Sequence, residues 1–185
     1  TSMDDETVFG PVLHSMSFRE AIEWDPPILS DYRVVALGID AATASTYRKL
    51  MKTYTDVQVE GTPRADADTF LALLATCAAI PRYGLQRLIS FHSTIRRAEA
   101  FTALLDHAAE WLPADGCSAA TPTTARHING RMPVRQREQH LADLRDPDLA
   151  QPLLISNAQC LSEGVDVPAL DGIVFANPKR SVVDI

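Results

Sequence analysis

From about residue 86 onward the chain alternates short apolar, β-rich runs with helical stretches, and this alternation limits the possible folds more than any other feature. The runs are Leu88-Ile89-Ser90-Phe91, Pro152 to Ser156 and Gly172-Ile173-Val174-Phe175-Ala176, with the more polar Thr123 to Ile128 as a further strand candidate. Between them, Ser93 or Thr94 can cap a helix running to about Trp111, Pro133 begins another through Asp146, and Ser181 opens a third. Strands joined through helices pair in parallel, with helices stacked on the sheet faces. The expected class is therefore α/β with a mostly parallel sheet. Ligands of such sheets bind beyond the carboxyl ends of the strands. That rule singles out four loops: 92–94, 129–131, 157–168 and 177–181.

The first 84 residues read differently. Residues 1–40 form a lead-in. Val12 to Met16 is a short strand candidate, and Ser17-Phe18-Arg19-Glu20 has the spacing of a capping box opening a helix through Trp24, which Pro26-Pro27 ends. Tyr32 to Ile39 is a second strand candidate. Residues 41–55 and 66–80 have helical spacing, with Leu50, Met51 and Tyr54 on one face and Leu71, Leu73, Leu74 and Cys77 on another. Both stripes read as core packing.

At 185 residues, 46% hydrophobic and 22% charged, the chain is a globular domain, or one domain with an appendage. Its formal charge of −7 (17 basic, 24 acidic residues) excludes a free-standing basic nucleic-acid binder. The charge is unevenly placed. Residues 1–40 carry eight acids and two bases, net −6, whereas residues 81–140 carry eight Arg and five acids, net +3. Guanidinium groups suit phosphate and carboxylate partners. Cys77, Cys117 and Cys160 form no C-x-x-C pair, so a disulfide framework or zinc site is not expected. No apolar run approaches the ~20 residues that span a bilayer. The acidic N-terminus does not read as a signal peptide, and a cytoplasmic location is expected, with no membrane partner. Both ends have the look of a piece cut from a longer protein.

Several chemistries are missing. No Gly is followed by Lys, so there is no P-loop to cradle a triphosphate, and neither G-x-S-x-G nor H-E-x-x-H occurs. Asp4-Asp5-Glu6-Thr7 has no preceding strand to aim it at a metal and reads as a solvated acidic terminus. The informative stretch is Leu153 to Pro168, where a buried strand runs into a polar loop and then Glu163-Gly164-Val165-Asp166-Val167-Pro168. Gly164 permits close backbone approach. Asp166 can accept a hydrogen bond from a hydroxyl such as that of a ribose.

That stretch resembles motif V of superfamily 2 helicases, in the form found in restriction-enzyme-type and related DEAD/DEAH-like bacterial helicases. The following residues, Ala169 to Ile185, also look like that family, where they lead into the arginine-bearing motif VI. The chain is expected to stop just before it. Arg87 to Thr94 resembles motif IV, and His127-Ile128-Asn129-Gly130 with Arg137 resembles the family's His-x-Gly…Arg segment. Val8 to Val12, through Ser30 to Val35, resembles the connector between the two motor domains. The likeness covers most of residues 8–185 and is weakest over 41–84. One position departs from it: Ala158 stands where many helicases carry a backbone-contacting Thr, a contact that Asn157 or Ser162 can supply.

The resemblance implies a RecA-like three-layer domain: residues 1–40 as connector from the first motor domain, 41–84 as a helical segment packed on the domain, and 85–185 as the second RecA-like helicase domain. It implies a part of an ATP-dependent DNA helicase or translocase, a nucleoside-triphosphate hydrolase whose first domain holds ATP and Mg2+ and is this domain's partner within the same chain. Glu163, Gly164 and Asp166 would face the nucleotide. Ser93, Thr94, Asn129, Gly130 and Asn157 would face the DNA backbone. No catalytic residue and no metal ligand is expected within these 185 residues, which by themselves should be inactive. Two other readings stay open: a nucleotide-sugar or other small-molecule α/β transferase using Glu163 and Asp166, and a non-enzymatic docking domain.

Overall fold

The structure, a computed structural model, describes residues 6–36, 65–106, 108, 121–158 and 170–176. The chain divides into two compact units, Thr1–Gly38 and Ile39–Ile185. The first contains helices α1 (Glu6–Phe9) and α2 (Phe18–Glu23). The capping box forms as the sequence predicts: the Glu20 amide donates to Ser17 Oγ at 3.2 Å, and Glu20 Oε2 accepts from the Ser17 amide at 2.7 Å. The Ser17 amide and hydroxyl, both donating to Glu20 Oε2, hold the Glu20 carboxyl below its ordinary pKa. The Ala21 carbonyl accepts from the amides of Ile28 and Leu29, which folds the chain back over the buried Ala21. The strands expected over Val12–Met16 and from Tyr32 do not form among the described residues. Both runs have β-forming side chains but no neighbouring strand among the described residues of this unit, and an unpaired strand leaves its backbone groups to water.

The second unit opens with α3 (Ala67–Tyr83). Asp66 caps it by accepting from the Thr69 amide at 2.9 Å, and Gly84 ends it at φ 65°, a left-handed conformation suited to glycine. The buried face is Phe70, Leu73, Leu74, Cys77 and Ile80. Leu71, expected on that stripe, lies on its flank, and Phe70 takes the core position. Four strands follow, with a helix after each of the first two: β1 (Arg87–His92), α4 (Ile95–Asp106), β2 (Thr124–Asn129), α5 (Val134–Leu144), β3 (Leu153–Ala158) and β4 (Gly172–Phe175). The strands form one parallel sheet in the order β2-β3-β1-β4. The α/β class read from the sequence is what the structure has. The helix expected over 41–55, that from Ser181, and most of loops 157–168 and 177–181 lie outside the described residues.

Side-chain alternation along the strands builds two cores. On one face Leu88, Ala125, Leu154 and Val174 meet α3 and α4 through Phe70, Leu73, Leu74, Phe101, Leu104 and Leu105. On the other, Ile89, Ile128, Leu153 and Ile155 meet Leu141 and Leu144 of α5. All six residues of β3 are buried, which is the pattern of a central parallel strand covered on both faces. Two elements are offset from their sequence expectation: α5 stops at Leu144, with Pro133 just before its first residue, and β3 starts at Leu153 but continues through Asn157 and Ala158.

The amino edge of the sheet is closed by hydrogen bonds. Asp171 accepts from the amides of Gln86 and Arg87 at 2.8 and 2.9 Å, and Arg87 Nη2 donates to the Asp146 carbonyl at 2.6 Å. At the β2 edge of the sheet, Asp106 accepts from the Ala125 amide at 2.9 Å. Leu154→Ala, at the centre of the larger core and fully buried, is expected to cost about 2–5 kcal/mol in urea unfolding. Ile173→Ala, more than half exposed, is expected to cost under about 1 kcal/mol in the same measurement.

Candidate functional site

Parallel pairing sends every strand out at the same edge, so β1 delivers Ser93-Thr94 and β2 delivers Gly130-Arg131 to one side of the sheet. Both turns are built by local side-chain bonding. Thr94 caps α4: its Oγ1 accepts from the Arg97 amide at 3.3 Å and its carbonyl from the Ala98 amide at 3.1 Å. Ser93 Oγ accepts from Arg97 Nη1 at 3.1 Å. The Arg97 guanidinium also donates from Nε to Asp66 Oδ2 at 2.7 Å and lies 3.6 Å from Asp68. Partial burial pushes the Asp66 carboxyl up, but bonds from Thr69 and Arg97 outweigh it and hold its pKa below the ordinary value.

The second turn depends on Asn129. Its Oδ1 accepts from the amides of Arg131 and Met132 at 2.9 and 3.1 Å, an Asx turn, and its carbonyl accepts from the Met132 amide at 3.2 Å. Its Nδ2 sits 3.1 Å from His127 Nε2. With Oδ1 committed to two amides, Nδ2 is the donor, so His127 accepts at Nε2 and carries its proton at Nδ1. Gly130 is exposed, and a Cβ placed on it would meet nothing within 4 Å. A second chain can therefore approach the backbone there.

Beneath the edge, facing α4, lies a polar row that is buried at Ser90, His92 and Ser156 and half-buried at His127. Ser90, Ser156 and His127 are register partners across β1, β3 and β2, and His92, Ala158 and Asn129 form the next row outward. Ser156 Oγ contacts Thr102 Oγ1 and reaches the carbonyls of Ala98 and Arg126 at 3.3 Å each. Ser90 Oγ bonds His92 Nε2 at 3.0 Å, and the His92 ring lies 4.7 Å from that of Phe101. Burial, aided by repulsion from the Arg97 guanidinium and from His127 whenever that ring is protonated, pushes His92 down to about 4. Burial also lowers His127, against an opposing pull from Glu99 and the Ser156 backbone. Both rings are therefore neutral at pH 7, and the Nδ1 of each is buried without a hydrogen-bond partner.

The structure thus brings four of the residues singled out in the sequence, Ser93, Thr94, Asn129 and Gly130, to one edge. Asn157 is placed differently, 1% exposed within β3 instead of in the loop beyond it. Glu163, Gly164 and Asp166 lie outside the described residues. Sequence reasoning missed Arg97 and Asp66, which meet across 31 positions, and it missed Arg131, presented by the Asn129 turn. Arg96, Arg131 and Arg135 are exposed and have no side-chain partner among the described residues. By contrast Arg126 is committed to Asp143 and His140 of α5. Among the described residues no group of three His, Cys, Asp or Glu side chains can hold a metal ion.

No protein-family model and no curated protein matches the chain. Among solved structures it is similar to the ATP-dependent Type ISP restriction-modification enzyme LlaBIII bound to DNA, with 26% sequence identity and a TM-score of 0.78. The match covers 99% of this chain and 12% of that one. This chain has the fold of one segment of a much larger DNA-bound, ATP-dependent enzyme.

The neutral His92 gives the fold a pH dependence of known sign. Its pKa is lower folded than unfolded, so its contribution is complete above about 6.5 and is lost as pH falls toward 4. Urea unfolding should show up to about 3 kcal/mol lost through that window, at ~1.36 kcal/mol per pKa unit. In His92→Gln this part of the slope should be absent. An unchanged slope in the variant would show that other groups carry it.

Proposed function

We propose that the chain is the second RecA-like motor domain of an ATP-dependent DNA helicase or translocase of restriction-modification type. In this reading residues 1–40 are the connector from the first motor domain, 41–84 a helical segment packed on the domain, and 85–185 the motor domain itself. The observation that carries it is the pairing of geometry with likeness: a parallel sheet that gathers Ser93, Thr94, Asn129 and Gly130 on one edge, in a chain matching a segment of a DNA-bound, ATP-dependent enzyme over 99% of its length.

ATP and Mg2+ belong to the first domain, because these 185 residues contain no P-loop. The role of this domain is closure over the nucleotide, with Glu163, Gly164 and Asp166 on the nucleotide side. Phosphoryl transfer depends on positioning and charge stabilisation, so closure matters more than any covalent step this domain could supply. Toward DNA, Gly130 leaves room for a sugar-phosphate strand beside its backbone, and Arg96 and Arg131 supply positive charge at the same edge. Thr94 and Asn129 act chiefly by shaping the two turns, since their polar groups are committed within the fold. Asn157 stands behind the edge instead of on it. Contacts of this kind go to phosphate and sugar and read little sequence. The proposed setting is cytoplasmic, and among the described residues no helix is long and apolar enough to cross a membrane.

Fluorescence anisotropy with labelled oligonucleotides tests this directly. Binding by the 185-residue chain is expected to be weak, indifferent to sequence and salt-sensitive, with log K falling by about 0.7 per phosphate contact against log salt for single strands. Gly130→Ala is expected to leave the free energy of urea unfolding within about 0.5 kcal/mol of the parent, because the added methyl meets nothing. It is expected to weaken DNA binding several-fold. A Gly130→Ala chain that binds DNA like the parent would remove this turn from the interface.

A further inference from the structure

The polar group nearest the Ser93-Thr94 turn that remains unexplained is the Arg97 guanidinium. It stands on the first turn of α4, reaches back to Ser93 Oγ at 3.1 Å, and is held from outside the sheet by Asp66 at 2.7 Å and Asp68 at 3.6 Å. The two acids belong to the start of α3, so the contact joins the helical segment to the turn that follows β1. Its members are unequal in freedom. Asp66 is fixed because its other oxygen caps α3 through the Thr69 amide. Arg97 has a long, flexible stem, and its side-chain bonds to the fold are made by the guanidinium nitrogens.

We propose that Arg97 is a phosphate-contacting side chain of the DNA interface that Asp66 and Asp68 hold in reserve, so that binding exchanges two carboxylates for a backbone phosphodiester. This rests on the nucleic-acid reading of the carboxyl edge. Three features carry it. The carboxylates present to Arg97 the same kind of anionic oxygen that a phosphodiester presents. The pair is open to water: the side chain of Arg97 is 29% exposed, that of Asp66 46% and that of Asp68 69%, and ion pairs this exposed contribute little net stability. The grip is also single-toothed, with Nε on one carboxylate and Nη2 at the long distance from the other, whereas a phosphate can take both nitrogens in parallel. Release costs the fold little, because the cap on α3 and the Thr94 cap on α4 do not involve the guanidinium.

The test uses the 185-residue chain and labelled single-stranded oligonucleotides over a range of salt. Asp66→Asn with Asp68→Asn keeps an oxygen for the Thr69 amide, since Asn is as good a helix cap as Asp. Circular dichroism confirms that α3 is retained. The double variant is expected to bind DNA about three- to tenfold more tightly, with a salt slope steeper by about 0.7, the value of one added phosphate contact. The same two changes in an Arg97→Gln background should give neither gain. A gain that persists without Arg97 is the general effect of removing two negative charges and overturns the proposal, as does no gain at all. Arg131→Gln separates this from the wider reading. If Arg131→Gln weakens binding while the double variant gains nothing, only the reserve role of Arg97 is wrong. If binding is absent, or indifferent to Arg131, the DNA-facing edge is wrong and the Arg97 role falls with it.

Discussion

The rest of the second unit depends on the burial of β3 on both faces between β1 and β2. A parallel strand cannot reach its neighbour by a tight turn, so each pairing requires a crossover, and the crossover helices cover the sheet. Because all six residues of β3 are enclosed, helices must lie on both sides: α3 and α4 against Leu154, α5 against Leu153 and Ile155. Parallel direction then decides where function can sit. The amino edge is tied shut by Asp171 and Arg87, and the carboxyl edge is left to the turns after β1 and β2.

The enclosed polar row under α4 is the second constraint. Ser90, His92, His127 and Ser156 occupy positions where aliphatic residues pack elsewhere in the sheet. Buried hydroxyls and imidazoles are costly unless bonded. Ser156 meets that cost through α4 itself, using the Ala98 carbonyl and Thr102, which fixes the helix relative to β3. His127 meets part of it through Asn129, which fixes the turn presenting Gly130 and Arg131. The interior polar groups therefore set the position of the exposed edge.

Much of this was legible in the sequence. The four strands and the two helices between them are readable because β1, β3 and β4 are short runs rich in apolar residues and β2, though more polar, falls between two helical stretches. The capping box at Ser17 was readable because its two bonds lie within four residues. What failed did so for physical reasons. Val12–Met16 and Tyr32–Ile39, of which 32–36 are described, have strand composition, but a strand is a property of a pair, and one segment's composition does not show whether a partner is present. Asn157 read as the first loop residue because it is polar, yet it continues a buried strand. The Arg97–Asp66 contact spans two elements and left no local signal beyond an Arg-rich middle. For the candidate site, the sheet rule points to the strand ends, and Ser93, Thr94, Asn129 and Gly130 lie there. Which of their groups are free and which are spent on the turns required coordinates.

Amide chemical-shift mapping of the 185-residue chain titrated with a single-stranded oligonucleotide tests the central claim, that the carboxyl edge of the sheet is the nucleic-acid face. Shifts are expected to concentrate at residues 93–97 and 130–132, with Leu85–Leu88 and Arg145–Leu153 at the opposite edge unmoved. Shifts centred on that amino edge, or none up to concentrations that saturate anisotropy, would contradict the account.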